Sequence, residues 1–246
     1  LHLSIRRQRQ MCIRDSSITL LAENDYVGMT FWLATAIMLA STVFFFVERS
    51  DVSAKWRTSM TVAGLVTGLA FWHYLYMREA HLQGEVTTVF RYIDWLITVP
   101  LQIVEFYLIL AAVTAVSSIL FWRLLGASLV MLIFGFLGEA GIMNATIGFV
   151  IGMAGWIYII YEIFAGEAAK LSENSKNAGG QFAFNTLRLI VTVGWAIYPI
   201  GYFLGYLSGG EPNFDTINIV YNVADLVNKT AFGLAIWVGA TMDNSK

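Results

Sequence analysis

Lys229 stands inside the apolar stretch 217–238, which is long enough to cross a bilayer as one helix. An ammonium near the middle of such a helix costs roughly 2.5–3.5 kcal/mol, so the position calls for an offsetting group. Asp225 precedes it by one helical turn on the same face and supplies a charge partner. A primary amine in an apolar cavity is also suited to condensing with an aldehyde to form a Schiff base.

A second polar set lies in the apolar segment 89–111, which contains Arg91, Asp94, Thr98, Gln102 and Glu105. At 100° per residue Arg91, Asp94, Thr98 and Glu105 fall within roughly 60° of azimuth, and Gln102 lies about 80° from Asp94. They form a stripe along one helix face. Asp94 and Glu105 are separated by roughly 16 Å along the axis at 1.5 Å per residue. Two carboxyls at different depths on one face suit a proton path with stations.

Taken singly, the other polar and aromatic residues have ordinary structural readings. His73 suits a buried, hydrogen-bonded histidine, and Trp95, Trp156, Trp195 and Tyr198 suit core aromatics. Pro100 and Pro199 suit simple kinks, tolerated where neighbouring helices satisfy the freed backbone. The conjunction points further: a buried lysine with its aspartate, beside a one-sided Arg/Asp/Thr/Glu stripe.

The elements that must position these groups follow from composition. The chain has 246 residues, 57% of them hydrophobic and 13% charged, which is too apolar for an ordinary soluble domain. A net charge of −2 carries no basic excess and argues against a nucleic-acid partner. Three prolines and 15% aromatics suit a helical bundle, and the one cysteine, Cys12, cannot form an internal disulfide. Hydropathy and breakers predict seven spans, at 26–47, 56–77, 89–111, 119–137, 145–164, 182–207 and 217–241. The stretches 48–55, 78–85, 139–144, 168–180 and 208–215 carry turn signals and are read as connections. The fold class is an all-α membrane protein, a seven-transmembrane-helix bundle.

Basic residues set the orientation. Arg49, Lys55, Arg57, Arg123, Lys170, Lys176 and Arg188 lie in or beside the loops after spans one, three and five, against Arg78 alone after the even spans. The positive-inside rule places the first set in the cytoplasm and the N-terminus outside. Residues 1–16 are basic, lack an apolar core and match neither a signal peptide nor a span. Met11-Cys12-Ile13-Arg14-Asp15 is also what a common sequencing adapter encodes in one frame, so 1–16 are read as a non-native extension. Residues 17–246 are read as a single domain.

Arg91–Tyr107, Gly194–Pro199 and Tyr221–Lys229 resemble the microbial rhodopsins, most closely the proteorhodopsins. Phe71-Trp72-His73-Tyr74 and Gly138–Met143 add to the resemblance, which runs from about Tyr26 to Trp237. It implies all-trans-retinal in the bundle interior, bound to Lys229 as a protonated Schiff base. Asp94 then matches the primary counterion and proton acceptor, Asp225 the second counterion, and Arg91 their organising cation. Glu105 matches the cytoplasmic proton donor, and His73 the histidine that hydrogen-bonds the acceptor. The retinal would lie among Trp95, Thr98, Met131, Trp156, Trp195, Tyr198 and Tyr221. Gln102 stands where the family tunes colour, and glutamine there marks its blue-absorbing members. The family forms pentameric or hexameric rings, and Trp32 matches a tryptophan that meets the histidine of the neighbouring protomer. Ser50 and the stretch 79–86 depart from the family pattern.

The resemblance implies a light-driven outward proton pump in the inner (plasma) membrane, with protons and the lipid bilayer as partners, and no enzyme activity. A chloride pump would lack the carboxylate at Asp94. A sodium pump of this superfamily would carry asparagine there and glutamine at Glu105. A slow-cycling photosensor signalling to a partner is the alternative. A non-retinal seven-span transporter or receptor is a third reading, and it predicts no pigment on reconstitution with retinal.

Overall fold

The computed structural model describes residues 21–209 and 213–244. Their helices are α1 (Tyr26–Glu48), α2 (Arg57–Leu82), α3 (Thr88–Val113), α4 (Ser118–Glu139), α5 (Ala145–Phe164), α6 (Glu167–Asn174), α7 (Ala178–Leu189), α8 (Ile197–Tyr202) and α9 (Phe214–Asn244). A 3₁₀ turn, Ala54–Trp56, leads into α2. Two π-helical stretches, Ile190–Gly194 and Phe203–Leu207, run with α7 and α8 as one interrupted rod. Seven rods result, packed in chain order into a ring that α9 closes against α1.

Long apolar runs make these segments helical, because in hydrocarbon every backbone polar group must be satisfied within the segment. Side chains mark several starts. Asp25 accepts from Gly28 N at 2.7 Å, Asn144 from Ile147 N at 3.2 Å and Asn177 from Gly180 N at 2.8 Å. Glycine spacing brings α4 and α5 together. A Cβ on Gly148 would stand 2.7 Å from the Phe134 carbonyl oxygen, and one on Gly155 would stand 2.8 Å from that of Ala127.

Polarity is reversed relative to a soluble domain. Trp72, Ile119, Trp122, Val193 and Leu204 are exposed, while Arg91, Asp94, Glu105, Asn222, Asp225 and Lys229 are buried. This pattern suits a bundle whose outer face meets lipid while its interior shields the charges. Five rods are long and apolar enough to cross a membrane by composition. α2 and α9 fall short of that measure because they carry polar residues, among them His73, Asn218, Asn222, Asp225, Asn228 and Lys229, which turn inward.

Three boundaries differ from the sequence reading. The stretch 168–180, read as a connection, holds most of α6, and the sixth rod starts at Ala178 rather than 182. The Glu162 carboxylate makes this helix possible, accepting from Glu167 N at 2.7 Å and Ala168 N at 3.2 Å and so capping its start. α2 continues to Leu82, so Arg78 lies within a helix, its guanidinium 4.3 Å above the Trp32 ring. α9 runs past 241 to Asn244, where Asp243 is tied to its neighbours. The 1–16 extension lies outside the described residues.

Candidate functional site

α3 and α9 face each other across the ring and carry the central charges. Lys229 Nζ donates to Asp94 Oδ2 at 2.7 Å and to Asp225 Oδ2 at 2.8 Å. All three side chains are buried, so the cation is held by two carboxylates where water does not screen it.

Each carboxylate has its own anchors. His73 Nδ1 shares a hydrogen bond with Asp94 Oδ1 at 3.1 Å. Thr98 donates to the backbone carbonyl of Asp94 at 3.0 Å and lies 3.4 Å from its Oδ2. Asp225 accepts from Tyr198 Oη at 2.6 Å, Tyr74 Oη at 2.9 Å and Trp95 Nε1 at 3.2 Å. A carboxylate that saturates its lone pairs in this way stays oriented toward the amine.

Arg91 reaches this cluster indirectly. Its guanidinium donates to Asn218 Oδ1 at 2.8 Å and Asn222 Oδ1 at 2.6 Å, and lies 3.4 Å from Tyr74 Oη. Its bonds therefore go to amides and a phenol, and Tyr74 links it to Asp225.

A cavity of about 110 Å³ opens beside Lys229. Trp95, Gln102, Met131, Trp156, Trp195, Tyr198 and Tyr221 line it together with Asp225 and Lys229. Thr98 is absent from that wall and sits against Asp94. The π-helical stretch shapes one side, because it leaves carbonyls free for side chains. Trp156 Nε1 donates to Val191 O at 3.0 Å, and Asn228 Nδ2 donates to Gly194 O at 3.0 Å. Gln102 Nε2 is buried in this wall without a partner. Flat apolar walls with an amine at one end and an orphan amide suit a conjugated apolar chain that ends in an aldehyde.

Glu105 lies apart from this cluster. It is fully buried further along α3, and neither carboxyl oxygen has a partner in hydrogen-bond geometry; Ser59 of α2 is its polar neighbour. The structure thus brings Asp94, Asp225, Lys229, His73 and the aromatic wall together, and leaves Glu105 apart from them.

The sequence reading passed over Tyr74, Asn218, Asn222 and Asn228. A signal was present for two of them. Asn218 and Asn222 precede Asp225 and Lys229 at helical spacing on one face of α9. Glu139 was also passed over; it accepts from Tyr92 Oη at 2.9 Å and lines the cavity.

A seven-rod membrane bundle that buries a lysine between two carboxylates, beside an aromatic cavity, has the architecture of a rhodopsin. The family model described as bacteriorhodopsin-like protein matches residues 25–242, and the chain belongs to that family. It is 58% identical over 223 residues to the green-light absorbing proteorhodopsin of Gamma-proteobacterium EBAC31A08, covering 90% of this chain and 89% of the relative. Over 224 residues it is 58% identical to the blue-light absorbing proteorhodopsin of Gamma-proteobacterium Hot 75m4, with the same coverage. The crystal structure of blue light-absorbing proteorhodopsin from Med12 superposes with a TM-score of 0.78 at 64% identity, covering 89% of this chain and all of that one. Membership of a rhodopsin family implies a retinal chromophore, and the membrane-crossing helices imply a surrounding bilayer.

Proposed function

We propose that this protein is a light-driven outward proton pump with all-trans-retinal bound to Lys229 as a protonated Schiff base. The observation that carries the reading is Lys229 Nζ held at 2.7 Å from Asp94, on the same helix as the isolated, buried Glu105. When bound, the retinal supplies light absorption and a change of shape that re-aims the nitrogen of Lys229.

The chain's own residues do the rest. Asp94 Oδ2 is the oxygen placed to take a proton from that nitrogen, and His73 and Thr98 hold it in position. Asp225 keeps a negative charge beside the cation throughout, fixed by Tyr74, Tyr198 and Trp95. Arg91 with its asparagines lies on the side away from Glu105, toward proton release. Glu105, in dry surroundings, holds a proton until the nitrogen needs one from the cytoplasmic side. Basic loops after odd spans support an outside N-terminus in the inner (plasma) membrane.

Gln102 beside the cavity supports blue-shifted absorption, since a polar amide there favours the ground-state charge distribution. Residues 17–246 form one domain on this reading. The exposed Trp32 supports a pentameric or hexameric ring in which Trp32 nears His73 of a neighbour. Light-induced pH change in an unbuffered suspension of cells expressing the chain with retinal tests the function. Acidification abolished by a protonophore is expected. A coloured, photoactive protein giving no pH change would move the assignment to a photosensor.

A further inference from the structure

Asp243 lies at the cytoplasmic end of α9, beyond the apolar stretch, and has no part in the chemistry above. Its side chain is only 7% exposed. Oδ2 accepts from Trp56 Nε1 at 2.8 Å and from Lys55 Nζ at 2.6 Å, and Oδ1 accepts from Asn177 Nδ2 at 2.7 Å. Burial alone would raise its pKa, but the donors from Lys55, Trp56 and Asn177 hold the carboxyl below its ordinary value. One carboxylate therefore joins three elements: the 3₁₀ turn before α2, the start of α7 and the end of α9. Backbone contact accompanies the junction, for a Cβ on Gly179 would stand 2.2 Å from the Gly239 carbonyl oxygen.

The junction stands beside α3, the helix that carries Glu105. The turn Ala54–Trp56 packs against α3, and Trp56 is fully buried in the same core as Phe106, Ile109 and Phe184. Phe106 and Phe184 meet edge to face at 5.2 Å. Trp56, in the turn that leads into α2, precedes Ser59, the polar neighbour of Glu105, by three residues. Its indole is turned to Asp243, at the end of α9.

We infer that Asp243 is a positioning residue for proton uptake, its carboxylate seating the Trp56 indole and the start of α7 as a cap that keeps water from Glu105. The inference rests on the pump reading, in which Glu105 is refilled from the cytoplasm. Loss of one hydrogen bond to a buried carboxylate favours the open arrangement by roughly tenfold.

Flash spectroscopy of the retinal-loaded full chain in vesicles tests this, using D243A, W56F, the double variant and E105Q. W56F removes the N–H and keeps a ring of similar shape, so it remains informative if D243A folds poorly. Both single changes are expected to leave the absorption maximum in place and speed the late recovery about tenfold, and the double variant is expected to be no faster than either. Wild-type recovery in both single variants, with E105Q still slow, overturns the inference and leaves the pump reading intact. Unchanged recovery in E105Q as well removes the Glu105 assignment, and this inference falls with it.

Discussion

Asp225 and Lys229 are one turn apart on α9, and the carboxylate accepts from the ammonium at 2.8 Å while Tyr74, Tyr198 and Trp95 hold it from other helices. The lysine thus brings its own counterion along the helix, and tertiary contacts orient it. Removing Asp225 from this buried cluster leaves the ammonium with Asp94 as its remaining carboxylate partner. Asp225→Ala is expected to cost about 3–5 kcal/mol of stability. Thermal bleaching of the pigment measures it; an unchanged bleaching temperature would show that Asp94 alone suffices.

Lys229→Ala removes the amine that lines the cavity. Reconstitution with all-trans-retinal is expected to give no visible band while the helical content is retained. Colour that survives this change would remove the Schiff-base assignment.

Glu105→Gln keeps shape and burial but cannot deliver a proton. Positioned general acids contribute about 10²-fold or more, so the late recovery is expected to slow by about that factor with the absorption maximum unchanged. Time-resolved absorption at neutral pH reads both quantities in one experiment.

Gln102→Leu replaces the orphan amide of the cavity wall with an apolar group of similar length. Its absorption maximum at alkaline pH is expected to move to longer wavelength than that of the unaltered pigment. A green maximum in the unaltered protein, or no shift in the variant, would remove the tuning role of Gln102.

The α4–α5 contact gives a test of packing alone. Gly155→Val puts a branched side chain where a Cβ already stands 2.8 Å from the Ala127 carbonyl oxygen. Overpacking of this kind costs about 1–3 kcal/mol. Pigment yield and the thermal bleaching temperature are expected to fall.

Sequence alone determined the seven apolar segments, the burial of Lys229, its i,i+4 aspartate and the one-sided stripe on α3. All of these follow from hydropathy and the 3.6-residue period, which are local properties of a chain in hydrocarbon. Tertiary structure decided which groups meet. That Asp94 and Asp225 share one amine, that Arg91 reaches them through Tyr74 and two asparagines, and that Glu105 stands alone all depend on how α2, α3 and α9 pack. The same holds for α6, whose start is capped by Glu162 of the preceding helix, and for the Asp243 junction, whose donors Lys55, Trp56 and Asn177 all lie far from Asp243 in sequence. Periodicity places a side chain on a face; only the packing of helices at their crossing distances places an atom within hydrogen-bond reach of another.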